Sequence, residues 1–131
     1  MARLSNGTTL GRYRLVRQLG AGGMGEVYLA KAQGAGGFEK LVALKVLTVA
    51  GEESVKHSDS LQREATIGVQ LDHDSVVQIL DYGQEEGRHF VAMEFVRGFS
   101  LAHVLRHARD AGRPLPPRVV AFVVRTVADA L

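Results

Sequence analysis

The chain has 131 residues, of which 46% are hydrophobic and 23% charged, and this composition favours a folded globular protein over a disordered one. The absence of cysteine excludes a disulfide framework and a thiolate metal site. Sixteen basic and fourteen acidic residues give a net charge of +2. No basic run is long enough for a nucleic-acid arm, so we expect no nucleic-acid partner.

No targeting or membrane segment is predicted. Residues Met1 to Gly11 lack the apolar stretch of a signal peptide. The longest strongly apolar run, Val119 to Val124, is far shorter than the roughly 20 residues that a transmembrane helix needs. We therefore expect a cytoplasmic location.

The first predicted element is a flexible leader over residues 1–10. Apolar side chains that alternate or cluster with β-formers then predict five strands. These strands are Tyr13 to Leu19, Glu26 to Lys31, Phe38 to Val49, Val76 to Leu80 and His89 to Val96. A turn-rich segment from Gly83 to Gly87 is predicted to join the last two strands. Between the third and fourth strands we expect a polar loop over Gly51 to His57. A helix over Asp59 to Leu71 follows it, with Ser58 as its N-cap and apolar residues at helical spacing.

After Gly98 the pattern becomes helical. Ser100 is predicted to cap a helix with an amphipathic stripe, and Pro117 suits the first turn of the next helix. The last helix is apolar on most of its circumference over Val119 to Leu131, which predicts that it is buried. Hairpin strands followed by helices indicate the α+β class rather than a parallel βαβ sheet.

A glycine cluster follows the first strand. Gly20, Gly22 and Gly25 satisfy the pattern G-x-G-x-x-G. In a dinucleotide-binding domain this pattern opens a helix, whereas the residues after Gly25 alternate like a strand. We favour a glycine loop inside a hairpin, where backbone N–H groups can face phosphate oxygens. A merely flexible hairpin tip and a dinucleotide-binding domain stay open as alternatives from this motif alone.

A lysine stands in the third predicted strand, which is otherwise apolar. Lys45 ends the run Val42 to Lys45, and a buried ammonium needs a partner unless it reaches solvent at a sheet edge. Glu64 lies near the inward stripe of the predicted helix. A Lys45–Glu64 ion pair could hold the ammonium toward phosphate groups under the glycine loop.

In this order the motifs resemble the N-terminal lobe of a protein kinase, most closely the bacterial serine/threonine kinases of eukaryotic type. They are the segment Leu19 to Tyr28, the segment Val42 to Lys45, and Glu64. The resemblance runs from about Gly11 to Leu131. It implies a five-stranded antiparallel sheet plus the helix that kinases call αC over residues 11–97, with an ATP-binding loop and a hinge. Residues 98–131 would be the first two helices of a truncated C-terminal lobe.

The resemblance implies an ATP site whose phosphate end comes from the glycine loop. Gly20, Gly22 and Gly25 would line the loop over the phosphates. Lys45 would contact the α- and β-phosphates while paired with Glu64.

The adenine end of the implied site comes from the strands and the hinge. Val27 and Ala43 would form its apolar roof, and Met93 would be the gatekeeper. The backbones of Glu94 and Val96 would meet the adenine edge, and Ser100 would lie near the ribose.

The family's catalytic motifs do not occur in the sequence. These are His-Arg-Asp followed by Asn, and Asp-Phe-Gly, which supply the base and the magnesium ligands. No catalytic or metal-binding residue is therefore assigned. We expect ATP, with Mg²⁺ in the complete domain, as cofactor, an unspecified protein as substrate, and no phosphoryl transfer by these residues alone. A non-catalytic nucleotide-binding or protein-interaction module is the alternative.

Gly68 departs from the family pattern. It lies four residues after Glu64, where kinases usually carry a larger apolar side chain. Glycine costs about 1 kcal/mol of helix propensity relative to alanine. The sequence therefore predicts a packing gap, a mobile helix and a loosely held Lys45–Glu64 pair.

Overall fold

The structure is a computed structural model that describes residues 4–23, 25–47 and 52–131, and the side chains of all of these except 52–56. Within these residues the chain forms strands, α-helices and a short 3-10 turn at Ala35–Gly37. The strands are β1 (Thr9–Leu10), β2 (Tyr13–Gly22), β3 (Gly25–Gln33), β4 (Glu39–Val46), β5 (Ile79–Glu85) and β6 (Arg88–Glu94). The helices are α1 (Glu52–Gln70), α2 (Leu101–Asp110) and α3 (Pro117–Ala130). The α+β class is confirmed.

The strands form one antiparallel sheet in the order β1-β2-β3-β4-β6-β5. It has six strands rather than five, because β1 arises from the segment that was predicted as a flexible leader. Leu10 is only 1% exposed, and the Gly7 N–H donates to the Leu15 carbonyl at 2.8 Å. Burial of Leu10 and partial burial of Leu4 place the end of this segment and Leu4 against the core, whereas the flexibility of the leader stays a prediction. Residues 1–3 lie outside the described part.

The side chains on one face of the sheet pack together and form a hydrophobic core. Its buried members are Leu10, Tyr13, Leu15, Tyr28, Ala30, Val42, Leu44, Val46, Phe90 and Ala92. The rings of Tyr13 and Phe90 meet edge to face with centroids 5.7 Å apart, although two strands separate them in the sheet order. The sheet must therefore curl strongly enough to bring β2 against β6.

The opposite face receives α1. Leu61 and Ala65 of this helix pack with Leu47 and Val91, and half-buried side chains of β5 and β6 surround them. Helix α1 thus lies over the β5–β6 side of the sheet.

Helix α1 begins at Glu52, not at Asp59. The predicted loop is therefore wrong from residue 52 onward, and Ser58 lies inside the helix instead of capping it. No proline or glycine interrupts residues 52–67, so the sequence allows the longer helix. Residues 48–51, which were predicted partly as strand and partly as loop, lie outside the described part.

Strand β5 runs over Ile79–Glu85 instead of Val76 to Leu80, and β6 ends at Glu94. The turn between them is shorter than predicted, and Glu86 and Gly87 have φ of 49° and 74°. Gly83, which had favoured a turn, faces Phe90 across the ladder. A Cβ on Gly83 would overlap the Phe90 ring, so the glycine makes room for an aromatic core residue.

The chain divides into two compact units, Met1–Asp72 with Val77–Phe95, and His73–Val76 with Val96–Leu131. The second unit holds α2 and α3. The Ser100 Oγ accepts a hydrogen bond from the His103 N–H at 3.2 Å, which confirms the predicted N-cap. Pro117 opens α3, also as predicted.

The predicted burial of the last helix is wrong. Helix α3 contains no buried residue, and the side chains of Phe122, Val124 and Val127 are all more than half exposed. An apolar stripe is buried only where another apolar surface meets it, and the described residues supply none for these side chains. No helix in the described part of the chain is long and apolar enough to cross a membrane.

The hydroxyl of Tyr13 makes a polar contact that links strand β2 to strand β5 of the curled sheet. It donates to Asp81 Oδ2 at 2.7 Å, and the Arg12 guanidinium donates to the same hydroxyl at 3.1 Å. Burial raises the pKa of Tyr13 above its ordinary value of 10.0, and the hydrogen bond to Asp81 adds to this. A raised tyrosine pKa stabilises the fold below pH 10 and loses that contribution as the pH rises through the folded value.

We expect Tyr13→Phe to lower the free energy of unfolding by about 1–2 kcal/mol at neutral pH, because Asp81 loses a hydrogen-bond donor. Above the ordinary tyrosine pKa, the variant should lose less further stability than the parent chain. Urea unfolding at both pH values measures the difference. Burial also raises the pKa of Tyr82. Tyr82→Phe is therefore measured by the same urea unfolding, as a second variant that loses a tyrosine with a raised pKa. Equal pH dependence in the Tyr13→Phe variant and the parent would contradict the prediction.

Candidate functional site

Strand register places most predicted site residues on one face of the sheet. Directly paired residues share a face, and so do residues two apart in a strand. Val27 pairs with Lys45, Leu29 pairs with Ala43, and Ala43 pairs with Met93. These five side chains therefore share the face on which α1 packs, across the adjacent strands β3, β4 and β6.

The glycine cluster lies in a hairpin. Gly20 pairs with Val27, and Gly22 pairs with Gly25, so the first and second glycines belong to β2 and the third begins β3. A strand follows Gly25, as predicted from the alternation. The dinucleotide-binding alternative, which needs a helix at this point, is therefore wrong.

The structure explains the glycine at only one of the three motif positions. Gly25 has φ of 158°, and a Cβ on it would overlap the carbonyl oxygen of Val46. Gly20 and Gly22 have no left-handed φ, and a Cβ on either would meet no described atom within 4 Å. Contacts of the described fold thus explain only the third glycine. The first two leave an open, unobstructed backbone.

The predicted Lys45–Glu64 ion pair is confirmed. The Lys45 Nζ lies 2.8 Å from Glu64 Oε2 and 3.1 Å from Oε1, and the two side chains are 21% and 53% exposed. An ion pair as accessible as this contributes at most about 1 kcal/mol to stability. Its main consequence is orientation. An ammonium has three N–H donors, so Lys45 keeps a donor for a further acceptor after serving both carboxylate oxygens.

The predicted packing gap at Gly68 is wrong. A Cβ built on Gly68 would overlap Ile79 Cγ1 and lie 3.4 Å from Ile79 Cβ and Cδ1. The isoleucine of β5 fills the space that a side chain on the helix would take. This contact removes the reason for expecting a loosely held Lys45–Glu64 pair.

Met93 and Glu94 end β6 in fixed positions. Met93 is half-buried against the cluster under α1. The Glu94 N–H donates to the Gln78 carbonyl at 3.0 Å, and Glu94 Oε1 accepts from the Gln78 N–H at 3.1 Å. Val96 and Ser100 belong to the second unit, where Val96 is 63% exposed and Ser100 caps α2. Their contacts with a nucleotide stay predictions.

Sequence reasoning did not single out Leu29, which also belongs to this face. Leu29 lies two residues after Val27 and opposite Ala43, and it is buried. The two-residue period of the strand that contains Val27 indicates this position.

A curled antiparallel sheet, one helix tied to it by a lysine–glutamate pair, and a glycine hairpin beside that pair define the N-terminal lobe of a protein kinase. The second unit adds the two helices expected at the start of the other lobe. The chain belongs to the protein kinase family, because the family model described as protein kinase domain matches residues 13–131.

The chain is similar to several serine/threonine-protein kinases. The chain is 38% identical over 130 residues to the serine/threonine-protein kinase PknE of Mycobacterium bovis, covering 99% of this chain and 22% of that protein. It is 35% identical over 128 residues to PknF of Mycobacterium tuberculosis, covering 98% and 26%. The chain thus spans about a quarter of these relatives. Both of these relatives are serine/threonine-protein kinases.

A solved kinase domain structure is also similar to this chain. The crystal structure of the Mycobacterium tuberculosis PknI kinase domain matches with a TM-score of 0.72 and 33% sequence identity. The match covers 98% of this chain and 49% of that one. The chain therefore corresponds to about half of a kinase domain.

Proposed function

We propose that the face formed by Val27, Leu29, Ala43 and Lys45 binds ATP beneath the glycine hairpin. The observation that carries this proposal is the Lys45–Glu64 pair, since it fixes an ammonium beside short apolar side chains on one sheet face. Such a face offers an apolar surface to the purine base of a nucleotide and a cation to the phosphates of the same nucleotide.

The hairpin supports the phosphate end of the proposal. Because no described contact requires glycine at positions 20 and 22, a ligand that approaches the backbone closely explains both residues. Backbone N–H groups there can face phosphate oxygens. The described residues therefore fit a nucleoside triphosphate at both of its ends.

In the complete domain we propose transfer of the γ-phosphoryl group of ATP to a serine or threonine hydroxyl of a protein. Mg²⁺ would neutralise phosphate charge when bound. This chain's residues would hold and orient ATP, and none of them is assigned as base or magnesium ligand. A cytoplasmic location stays a prediction.

The test is calorimetric titration of the purified chain with ATP plus Mg²⁺, with AMP, and with NAD⁺. We expect ATP to bind at least tenfold more tightly than AMP, because Lys45 and the hairpin contact phosphates that AMP lacks. Equal binding of AMP and ATP would show that the phosphate end is wrongly assigned. Binding of none of the three would overturn the proposal and favour the interaction-module alternative. We also expect no transfer of radiolabelled phosphate to a generic protein substrate by this chain.

A further inference from the structure

Two histidines of helix α2 stand one helical turn apart. His107 follows His103 by four residues, so the two side chains leave the same side of the helix, with Cβ atoms about 5–6 Å apart. Both residues are exposed, and both line one groove of the second unit. One nitrogen of each imidazole ring can therefore reach a common point without a change in the backbone.

The ring of His103 is already oriented by an aromatic neighbour. It stacks on the ring of Phe99, with ring centroids 4.7 Å apart and planes 13° apart. The nitrogens of an imidazole lie at the edge of the ring, so a stack that covers one face leaves them available to a ligand. The stack also restricts the side-chain freedom that His103 would otherwise lose on binding.

The charges at this end of α2 are mixed. His107 lies in the last turn of the helix, where the helix dipole has its negative end. Asp110 follows three residues later with an exposed carboxylate, although Arg109 Nε lies 3.6 Å from its Oδ1. Arg113 lines the groove and opposes a cation there. One arginine thus works against a bound cation, while the helix end and a carboxylate favour it.

We propose that His103 and His107 together chelate a divalent transition-metal ion of the class that prefers imidazole ligands, namely Zn²⁺, Ni²⁺ or Cu²⁺. Mg²⁺ and Ca²⁺ prefer oxygen ligands and are not expected at this pair. Among the described residues, no three His, Cys, Asp or Glu side chains stand together as a metal cluster. The protein therefore supplies two ligands, and water completes the coordination.

This metal site is independent of the proposed function. It uses none of the residues assigned to ATP, and it does not take the Mg²⁺ that accompanies ATP. Its test therefore needs no nucleotide, and its failure would leave the ATP proposal unchanged.

The test is calorimetric titration of the purified full chain, without any histidine-containing affinity tag, with Zn²⁺, Ni²⁺ and Mg²⁺. The titrations are repeated with His103→Gln and with His107→Gln, since glutamine stays polar but has no imidazole. Electron paramagnetic resonance with one equivalent of Cu²⁺ is the second readout, because the hyperfine splitting counts the bound nitrogens. Melting temperatures show that each variant is folded.

Two control variants separate the pair from histidine in general. Ala102→His/His107→Ala has the composition of the parent and keeps two histidines on α2, but adjacent residues of a helix do not face each other. His73→Gln removes a histidine elsewhere in the second unit, whose Nδ1 accepts a hydrogen bond from the Ser75 N–H at 3.1 Å.

We expect one Zn²⁺ or Ni²⁺ per chain and no binding of Mg²⁺. Loss of either histidine should weaken binding by more than about tenfold, since changes in groups that merely support a metal ligand typically cost that much. The Cu²⁺ spectrum should show two nitrogens in the parent and at most one in each single variant.

The controls decide against the proposal if they behave differently from this expectation. Ala102→His/His107→Ala should lose as much affinity as His107→Gln, and His73→Gln should bind like the parent. Parental affinity in His103→Gln, in His107→Gln or in the rearranged variant would place the metal elsewhere and overturn the proposal. Absence of binding to the parent chain by both methods would overturn it as well.

Discussion

Gly25→Ala is expected to lower the free energy of unfolding by about 2–4 kcal/mol, from steric overlap together with backbone strain. The new Cβ would overlap the carbonyl oxygen of Val46, which is backbone of the neighbouring β4 and cannot rotate away. Relief requires that the β3–β4 ladder open at its first pair. Urea denaturation followed by circular dichroism measures the loss.

Gly20→Ala and Gly22→Ala are the matched controls, because they make the same chemical change in the same hairpin. A Cβ at either position meets no described atom within 4 Å, so stability should change by no more than about 0.5 kcal/mol. Their ATP affinity should nevertheless fall, since the new methyl group stands where the backbone would approach the phosphates. If all three variants lost stability equally, the distinction between one structural and two ligand-facing glycines would be wrong.

The glycine hairpin and the ion pair were predictable because each leaves a local pattern, whereas the residues of the adenine end were implied only by the resemblance to kinases. Alternation around Val27 excludes the helix of a dinucleotide-binding loop, and a lysine in an apolar strand requires a partner. Helical spacing then selects Glu64 as that partner. Patterns of this kind depend on neighbours in the sequence, which is why the ion pair and the hairpin agree with the structure.

The predictions from sequence failed at residues whose surroundings are formed by distant parts of the chain. Gly83 and Gly68 were interpreted from glycine's local propensities, yet each makes room for a large side chain on another element, Phe90 and Ile79. Leu10 belongs to a polar segment and is buried only because the sheet curls over it. Long-range contacts of this kind have no counterpart in the spacing of nearby residues.

Lys45→Met should weaken ATP binding by about tenfold to a hundredfold. A hydrogen bond to a charged group contributes about 1.5–3 kcal/mol, and each 1.4 kcal/mol is a factor of ten in affinity. The stability of the folded state should change little, because methionine retains an apolar stem of similar length and the lost ion pair is partly exposed. Calorimetric titration gives the affinity, and thermal unfolding gives the stability.

Lys31→Met is the control that separates a phosphate contact from a general loss of charge. Lys31 also lies in the sheet and also forms an ion pair, with Glu39 at 2.7 Å and with similarly accessible side chains. It stands four residues beyond Val27, about 13 Å along β3, which is too far to share the same phosphates. Both variants lose one positive charge, so only a local contact of Lys45 can make their affinities differ. Equal affinities for ATP would show that Lys45 attracts the nucleotide only as part of the overall charge, and the face beside Glu64 would not be the phosphate site.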